Sequence, residues 1–104
     1  MATFSLRGIV GFEWDKGNIS HIAKHNVAPR ESEDVFFDKN NVLDEDLKHS
    51  VGEQRFLIIG KTKRGRILYQ IFTVRGGKIR VVSSRDINKK EVSLYEKKVD
   101  NSKI

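Results

Sequence analysis

Two stretches of this chain gather most of its reactive side chains. The first is Phe12-Glu13-Trp14-Asp15, followed by Lys24-His25-Asn26-Val27. The second is Arg55-Phe56-Leu57-Ile58-Ile59-Gly60, then Gly65-Arg66, then Arg80-Val81-Val82-Ser83-Ser84-Arg85. Cutting a phosphodiester next to a 2′-hydroxyl makes three demands. The hydroxyl must lose its proton, the leaving oxygen must gain one, and the charge gathered at phosphorus must be stabilised. His or Glu can do the first two, and Arg or Lys the third. The same side chains equip a protein that only binds nucleic acid.

Each candidate has a structural alternative. His25 is the first choice for proton transfer, because histidine ordinarily titrates near neutrality; a helix-ending His that bonds a carbonyl is the other reading. Lys24 precedes it and either joins that site or simply faces solvent. Arg80, within a strand beside Thr73 and Tyr69, needs an anionic ligand or an acidic partner, with Glu91 or Glu96 of the last helix as the partner expected. Arg85 has the same two readings, with Asp86 as its nearest carboxylate. Arg75 and Lys78 flank a turn, where they meet phosphate or water. Glu91 is a possible base, but also completes a capping box with Asn88. Trp14 either packs between the first strand and first helix or stacks on a base. Tyr95 falls on the apolar face of the last helix. His21 and His25 stand four residues apart, yet a zinc site would need a third ligand, and the remaining histidine, His49, sits in a polar loop. No metal and no cofactor is expected.

The elements that must position these groups follow from pattern. Residues 9–14 read as a short strand. Asp15 or Asn18 can cap a helix running to about His25, with Ile19, Ile22 and Ala23 as its apolar stripe. Asn26 suits the left-handed conformation that ends it. Pro29 opens a second helix, with Ser32, Val35 and Phe36 inward, Val27 stapling its start and Asp38-Lys39-Asn40-Asn41 closing it. Residues 41–43 are a short strand and 44–52 a polar loop. Residues 55–61, 67–74 and 79–86 are strands by β-branched and aromatic content, joined by turns at Arg64-Gly65 and Gly76-Gly77. They form an antiparallel meander. A two-residue turn at Gly76-Gly77 sets Arg75 opposite Lys78, Thr73 opposite Arg80 and Tyr69 opposite Ser84 on one face. Val74, Ile79, Phe72, Val81 and Leu68 then make the core face, and Arg85 shares the parity of Val81. The last helix starts at Asn88 and buries Val92, Tyr95 and Val99; residues 101–104 are expected to fray.

The chain has 104 residues, enough for one domain over 1–104, and no cysteine, hence no disulfide and no thiol chemistry. No apolar run approaches the ~20 residues of a membrane span, and the first seven residues do not read as a signal peptide, so a cytoplasmic protein is expected. The net charge is +6, but residues 31–46 hold seven acids and one base, net −6, leaving the rest at +12. A protein so polarised can turn its basic side to an anionic polymer.

The order F-E-W-D, K-H-x-V, V-F-F-D, R-F-x-x-I-G, G-R, T-x-R, R-x-x-S-x-R and E-x-x-x-Y-E resembles the BrnT toxins of bacterial type II toxin–antitoxin pairs. It runs from about Phe12 to Glu96. The resemblance implies a RelE-like α+β fold: a small antiparallel sheet with two N-terminal helices and one C-terminal helix. It implies a metal-independent endoribonuclease that halts translation, and a BrnA-like antitoxin whose ribbon-helix-helix domain, rather than the toxin, binds operator DNA. Carried onto this chain, Lys24, His25, Arg80, Arg85 and Glu91 are the expected catalytic residues. Trp14, Arg66, Arg75, Lys78 and Tyr95 are the expected RNA contacts. A degenerate toxin that only binds antitoxin or nucleic acid is the alternative. Two positions depart from the pattern: Asn26, where the family commonly has Gly, and Asp86, a carboxylate placed to tether Arg85.

Overall fold

Phe72 lies at the centre of the molecule, fully buried, with the rings of Phe36 and Phe56 at 4.9 and 5.3 Å. Phe12 meets Phe36 edge-on at 5.4 Å. Such ring pairs each add roughly 0.5–1.5 kcal/mol beyond the area they bury. The elements around this cluster are β1 (Gly11–Phe12), α1 (Lys16–Ala23), α2 (Pro29–Phe37), β2 (Val42–Glu45), β3 (Phe56–Lys61), β4 (Ile67–Arg75), β5 (Lys78–Asp86) and α3 (Lys89–Ser102). The computed structural model describes residues 8–46, 48 and 51–102. His49, part of the expected 44–52 loop, the first seven residues and 103–104 lie outside the described residues.

The five strands make one sheet in the order β1-β5-β4-β3-β2, antiparallel except for the short parallel pair β1–β5. This is the expected α+β class, and its order is compatible with a RelE-like arrangement. The expected first strand shrinks to two residues that hold the sheet edge. Gly76 and Gly77 both take positive φ, 55° and 78°, as a tight hairpin turn demands, and Arg75 faces Lys78 as expected. Past Phe72 the register changes. Phe72 pairs with Val81 but Ile71 pairs with Ser83, so Val82 is a one-residue bulge. Tyr69 therefore faces Arg85, not Ser84 as the unbroken pattern predicted. The slip moves Arg85 off the core parity and turns Ser84 inward, where its hydroxyl donates to Gln70 at 2.7 Å. Gln70 in turn donates to the Ser32 carbonyl at 3.1 Å and ties β4 to α2.

Helix starts follow their caps. Asp15 caps α1, accepting from the Asn18 amide while Asn18 accepts from the Asp15 amide. Pro29 opens α2, and Glu31 accepts the Ala28 N–H at 3.1 Å. Asn88 and Glu91 form the expected box at α3. Asn26 is left-handed, φ 58°. The stripe of α1 differs from the expectation: Ile22 is buried, but Ile19 is 40% exposed and Ala23 is exposed. Asn18 takes the inner position, donating to the carbonyls of Glu13 and Val81 at 2.9 and 3.2 Å. A polar residue earns that place by stitching the end of β1 to β5. Gly60 lets α2 approach β3: a Cβ there would meet the Val35 side chain at 2.8 Å and its carbonyl at 2.9 Å. On α3, Tyr95 is buried and donates to Asp38 at 2.6 Å, pegging α3 to the end of α2.

Candidate functional site

At the hairpin end of the sheet, residues of β4 and β5 meet the first turns of α1 around a hollow of about 290 Å³. It is lined by Gly17, Asn18, His21, Glu53, Arg55, Arg75, Arg80 and Val82. Three arginines and an imidazole thus share one concave surface. The imidazole is His21. His25, the histidine favoured from sequence, does not line the hollow; its carbonyl instead accepts from Arg66 at 2.8 Å. Lys24 caps the end of α1 and is exposed.

Every candidate arginine is held by carboxylates. Arg80 donates to Asp15 at 2.7 and 3.2 Å and to Glu13 at 3.1 Å. Its partners are on the segment leading into α1; the expected bond to Glu91 or Glu96 does not form. The Arg80 guanidinium holds the Asp15 carboxyl below its usual range, while Asp15 pushes the Arg80 pKa up. Arg75 grips Glu53 at 2.7 and 3.2 Å and lowers that carboxyl in the same way. These bonds leave donors over. Among the described residues, Nε of Arg80 and Nη1 of Arg75 donate to no protein acceptor. Guanidiniums fixed on one side with N–H groups unused on the other match the fork geometry that phosphate oxygens take. Gly17 keeps the rim open, since a Cβ there would stand 3.1 Å from Asp15 Oδ1 and 3.7 Å from Arg80 Nη2.

A second cluster forms where the bulge delivers Arg85. Its guanidinium lies 4.2 Å from the centre of the Tyr69 ring and holds Glu91 through two bonds of 2.7 and 2.8 Å. Asp86, expected to tether Arg85, offers it only a backbone carbonyl at 3.1 Å. The Asp86 carboxylate goes to Arg66. Glu91 therefore serves both the cap of α3 and Arg85, with its side chain 12% exposed. The Arg85 bond is the main reason its pKa falls, working against burial. The sign follows directly. A carboxyl depressed on folding contributes stability above its ordinary 4.5, and loses it as pH falls through the lower folded value. Acid titration of stability should therefore show a decline below that range, and Glu91→Gln should flatten it while lowering stability at neutral pH. A wild-type-like acid slope in the variant, measured by urea unfolding at several pH values, would remove Glu91 from this account.

Of the RNA contacts expected from sequence, Arg75 lines the hollow and Lys78 is exposed at the hairpin tip. Trp14 is half-buried against the core, its indole N–H donating to Glu33 at 2.8 Å. Tyr95 is buried at 4% exposure with its hydroxyl engaged, which leaves no face for a base. Arg66 is wholly occupied: it donates to Asp86, Glu31 and the carbonyls of His25 and Asn26. It clamps the end of α1 to the start of β4. Sequence reasoning missed the places of His21, Arg55 and Glu53. His21 follows Gly17 by four residues and Asn18 by three, so it shares their helix face, the signal that could have found it. Among the described residues, no group of three or more His, Asp or Glu side chains is arranged to hold a metal ion. No described helix is long and apolar enough to cross a membrane.

Among curated proteins, no individual relative matches this chain. The family described as ribonuclease toxin, BrnT, of type II toxin–antitoxin system matches residues 14–91. That span contains the whole sheet beyond β1, both N-terminal helices, His21, all three arginines of the hollow and the Arg85–Glu91 pair. With well over half its length inside that match, the chain belongs to the BrnT family of ribonuclease toxins of type II toxin–antitoxin systems.

Proposed function

We propose that this chain is a metal-independent endoribonuclease whose RNA site is the arginine-lined hollow. Membership of the family implies RNA as substrate and an antitoxin as partner. The observation that carries the reading is that His21, Arg55, Arg75 and Arg80 line one cavity. In it, Arg80 and Arg75 take the phosphate oxygens and stabilise the charge that builds as the 2′-oxygen attacks phosphorus. His21 accepts the 2′-hydroxyl proton, and a proton returned to the departing 5′-oxygen completes the cleavage. The products are a 2′,3′-cyclic phosphate and a free 5′-hydroxyl. Lys24 and His25 stand at the far end of α1, and Arg85 and Glu91 form a separate pair; they are secondary candidates in the same reaction. Cleavage in the cytoplasm halts translation, and a BrnA-like antitoxin with a ribbon-helix-helix domain holds the toxin in check and binds operator DNA.

A non-catalytic binding module draws support from the carboxylates locked onto Arg75, Arg80 and Arg85. One experiment separates the two. Purified protein is incubated with RNA in EDTA, and fragment ends are analysed. The endoribonuclease reading expects cyclic-phosphate ends, a loss of about 10²-fold or more on His21→Ala, and a smaller loss on His25→Ala. RNA left intact, or cut only when a divalent ion is restored, overturns it. If His25→Ala has the larger effect, the proton role passes to His25.

A further inference from the structure

One acid, Glu53, is among the residues that line the arginine hollow; Asp15 and Glu13, which hold Arg80, are not. The Glu53 carboxylate accepts from Arg75 Nε at 2.7 Å and from Nη2 at 3.2 Å, the two-point grip that phosphate oxygens also make on a guanidinium. The bond to Arg75 is the first reason its pKa falls. The charges of Arg75, Arg55 and Arg80 pull the same way, against a burial penalty. All three guanidiniums of the hollow therefore act on this one anion.

Left in place, that carboxylate would repel an entering phosphate and keep one edge of Arg75 from it. Nothing in the fold holds it there. Among the described residues it accepts from no donor but Arg75, whereas Asp15 on Arg80 also caps α1. The side chains of Arg75 and Glu53 are 52% and 31% exposed, and a bond between groups so open to water is weak enough to be exchanged. The backbone beside Glu53 is tied independently. The hydroxyl of buried Thr73 donates to the Gln54 carbonyl at 2.8 Å, and the Asp46 amide donates to the Arg55 carbonyl at 2.8 Å. Rotation of one side chain clears the site without moving those ties.

We propose that Glu53 is a built-in competitor of the RNA phosphate: in the free protein its carboxylate occupies the Arg75 side of the hollow, and an incoming phosphodiester takes its place on Arg75. The inference rests on the reading of the hollow as the RNA site and adds an autoinhibitory contact to it. The exchange is one ion pair for another. It leaves the grip of Asp15 and Glu13 on Arg80 untouched, so the second arginine stays fixed while the first changes partner.

The test uses full-length protein and a short single-stranded RNA with every 2′-hydroxyl methylated, so that affinity is read without cleavage. Glu53→Gln should bind about 5-fold more tightly, the factor gained when an exposed ion pair no longer has to be broken. Its affinity should also fall more steeply with salt, since one opposing charge has gone. In an Arg75→Ala background the same exchange should gain less than about 2-fold, because there is no guanidinium left to compete for. With cleavable RNA, KM falls and kcat holds. Equal gains in both backgrounds would mean that Glu53 repels RNA through space without occupying Arg75, and would overturn the proposal. Unchanged or weaker binding by Glu53→Gln overturns it too, as does a fall in kcat, which would place the carboxylate in the chemistry. If neither Arg75→Ala nor Arg80→Ala weakens binding, the hollow is not the RNA site, and both readings fall. If they weaken it while Glu53→Gln changes nothing, the competitor alone is ruled out.

Discussion

Arg80→Ala is expected to reduce RNA cleavage by about 10²- to 10³-fold, the loss that follows removal of one preorganised donor from a developing oxyanion. Arg80 is the arginine of the hollow held from two directions, by Asp15 and Glu13. Its side chain is 17% exposed, whereas Asp15 and Glu13 are 54% and 38% exposed. The substitution therefore strands two carboxylates that water already reaches, and the cost in stability stays under about 1 kcal/mol. Asp15 also keeps its hold on the Asn18 amide, so α1 retains its cap. Arg80→Lys preserves charge but not the fork, and should recover part of the rate. Single-turnover cleavage with calorimetric melting on the same samples checks both halves. Unchanged cleavage in a folded Arg80→Ala protein would move the site away from this hollow.

Arg66→Ala should be the most destabilising of the arginine substitutions, by about 3 kcal/mol, given hydrogen bonds to two carboxylates and two carbonyls. Its four partners come from three places: His25 and Asn26 after α1, Glu31 in α2, and Asp86 at the end of β5. The Arg66 side chain is 23% exposed, so water cannot fully replace those donors. The carbonyls it holds lie in the turn just past the C-cap of α1. For about 100 residues such a loss lowers the melting temperature by roughly 12–24 °C. Arg66→Lys should recover little, because one ammonium cannot span both the carbonyls and Asp86. Urea unfolding of the three proteins decides the matter; a loss below ~1 kcal/mol in Arg66→Ala would mean that the clamp is a surface ion pair of ordinary weight.

What could be read in advance was local. The Gly76-Gly77 turn, the Pro29 start, a cap for α1 at Asp15 or Asn18, the capping box at Asn88, and the inward Ser32, Val35 and Phe36 each depend on residues within a few positions of one another. The failures were of two kinds. Val81-Val82-Ser83-Ser84 fits strand alternation in either register, so nothing in it announces an extra residue. The partners of the arginines are remote: Arg80 meets Asp15 across 65 positions, and Arg66 meets Asn26 across 40. Charge alone says that such a group needs a counterpart, and only the packed chain says which. The same limit explains why His21 and not His25 lines the hollow, since the difference lies in which side of α1 turns to the sheet. Ile19 was misjudged because apolar spacing favoured it, while Asn18 won the interior by satisfying backbone groups that no aliphatic side chain could reach.

The bulge at Val82 sets which way every later residue of β5 faces. Residues before it and after it keep opposite phase, so Val81 and Ser84 both point to the interior while Arg80 and Arg85 both stand on the outer face. Ironing the bulge out at unchanged length would swing Arg85 toward the interior, away from Tyr69 and Glu91, whereas deleting Val82 would leave Ile71 opposite Ser83 and Tyr69 opposite Arg85. The strand can therefore lose its extra residue and keep its faces, but it cannot lose the bulge and keep its length.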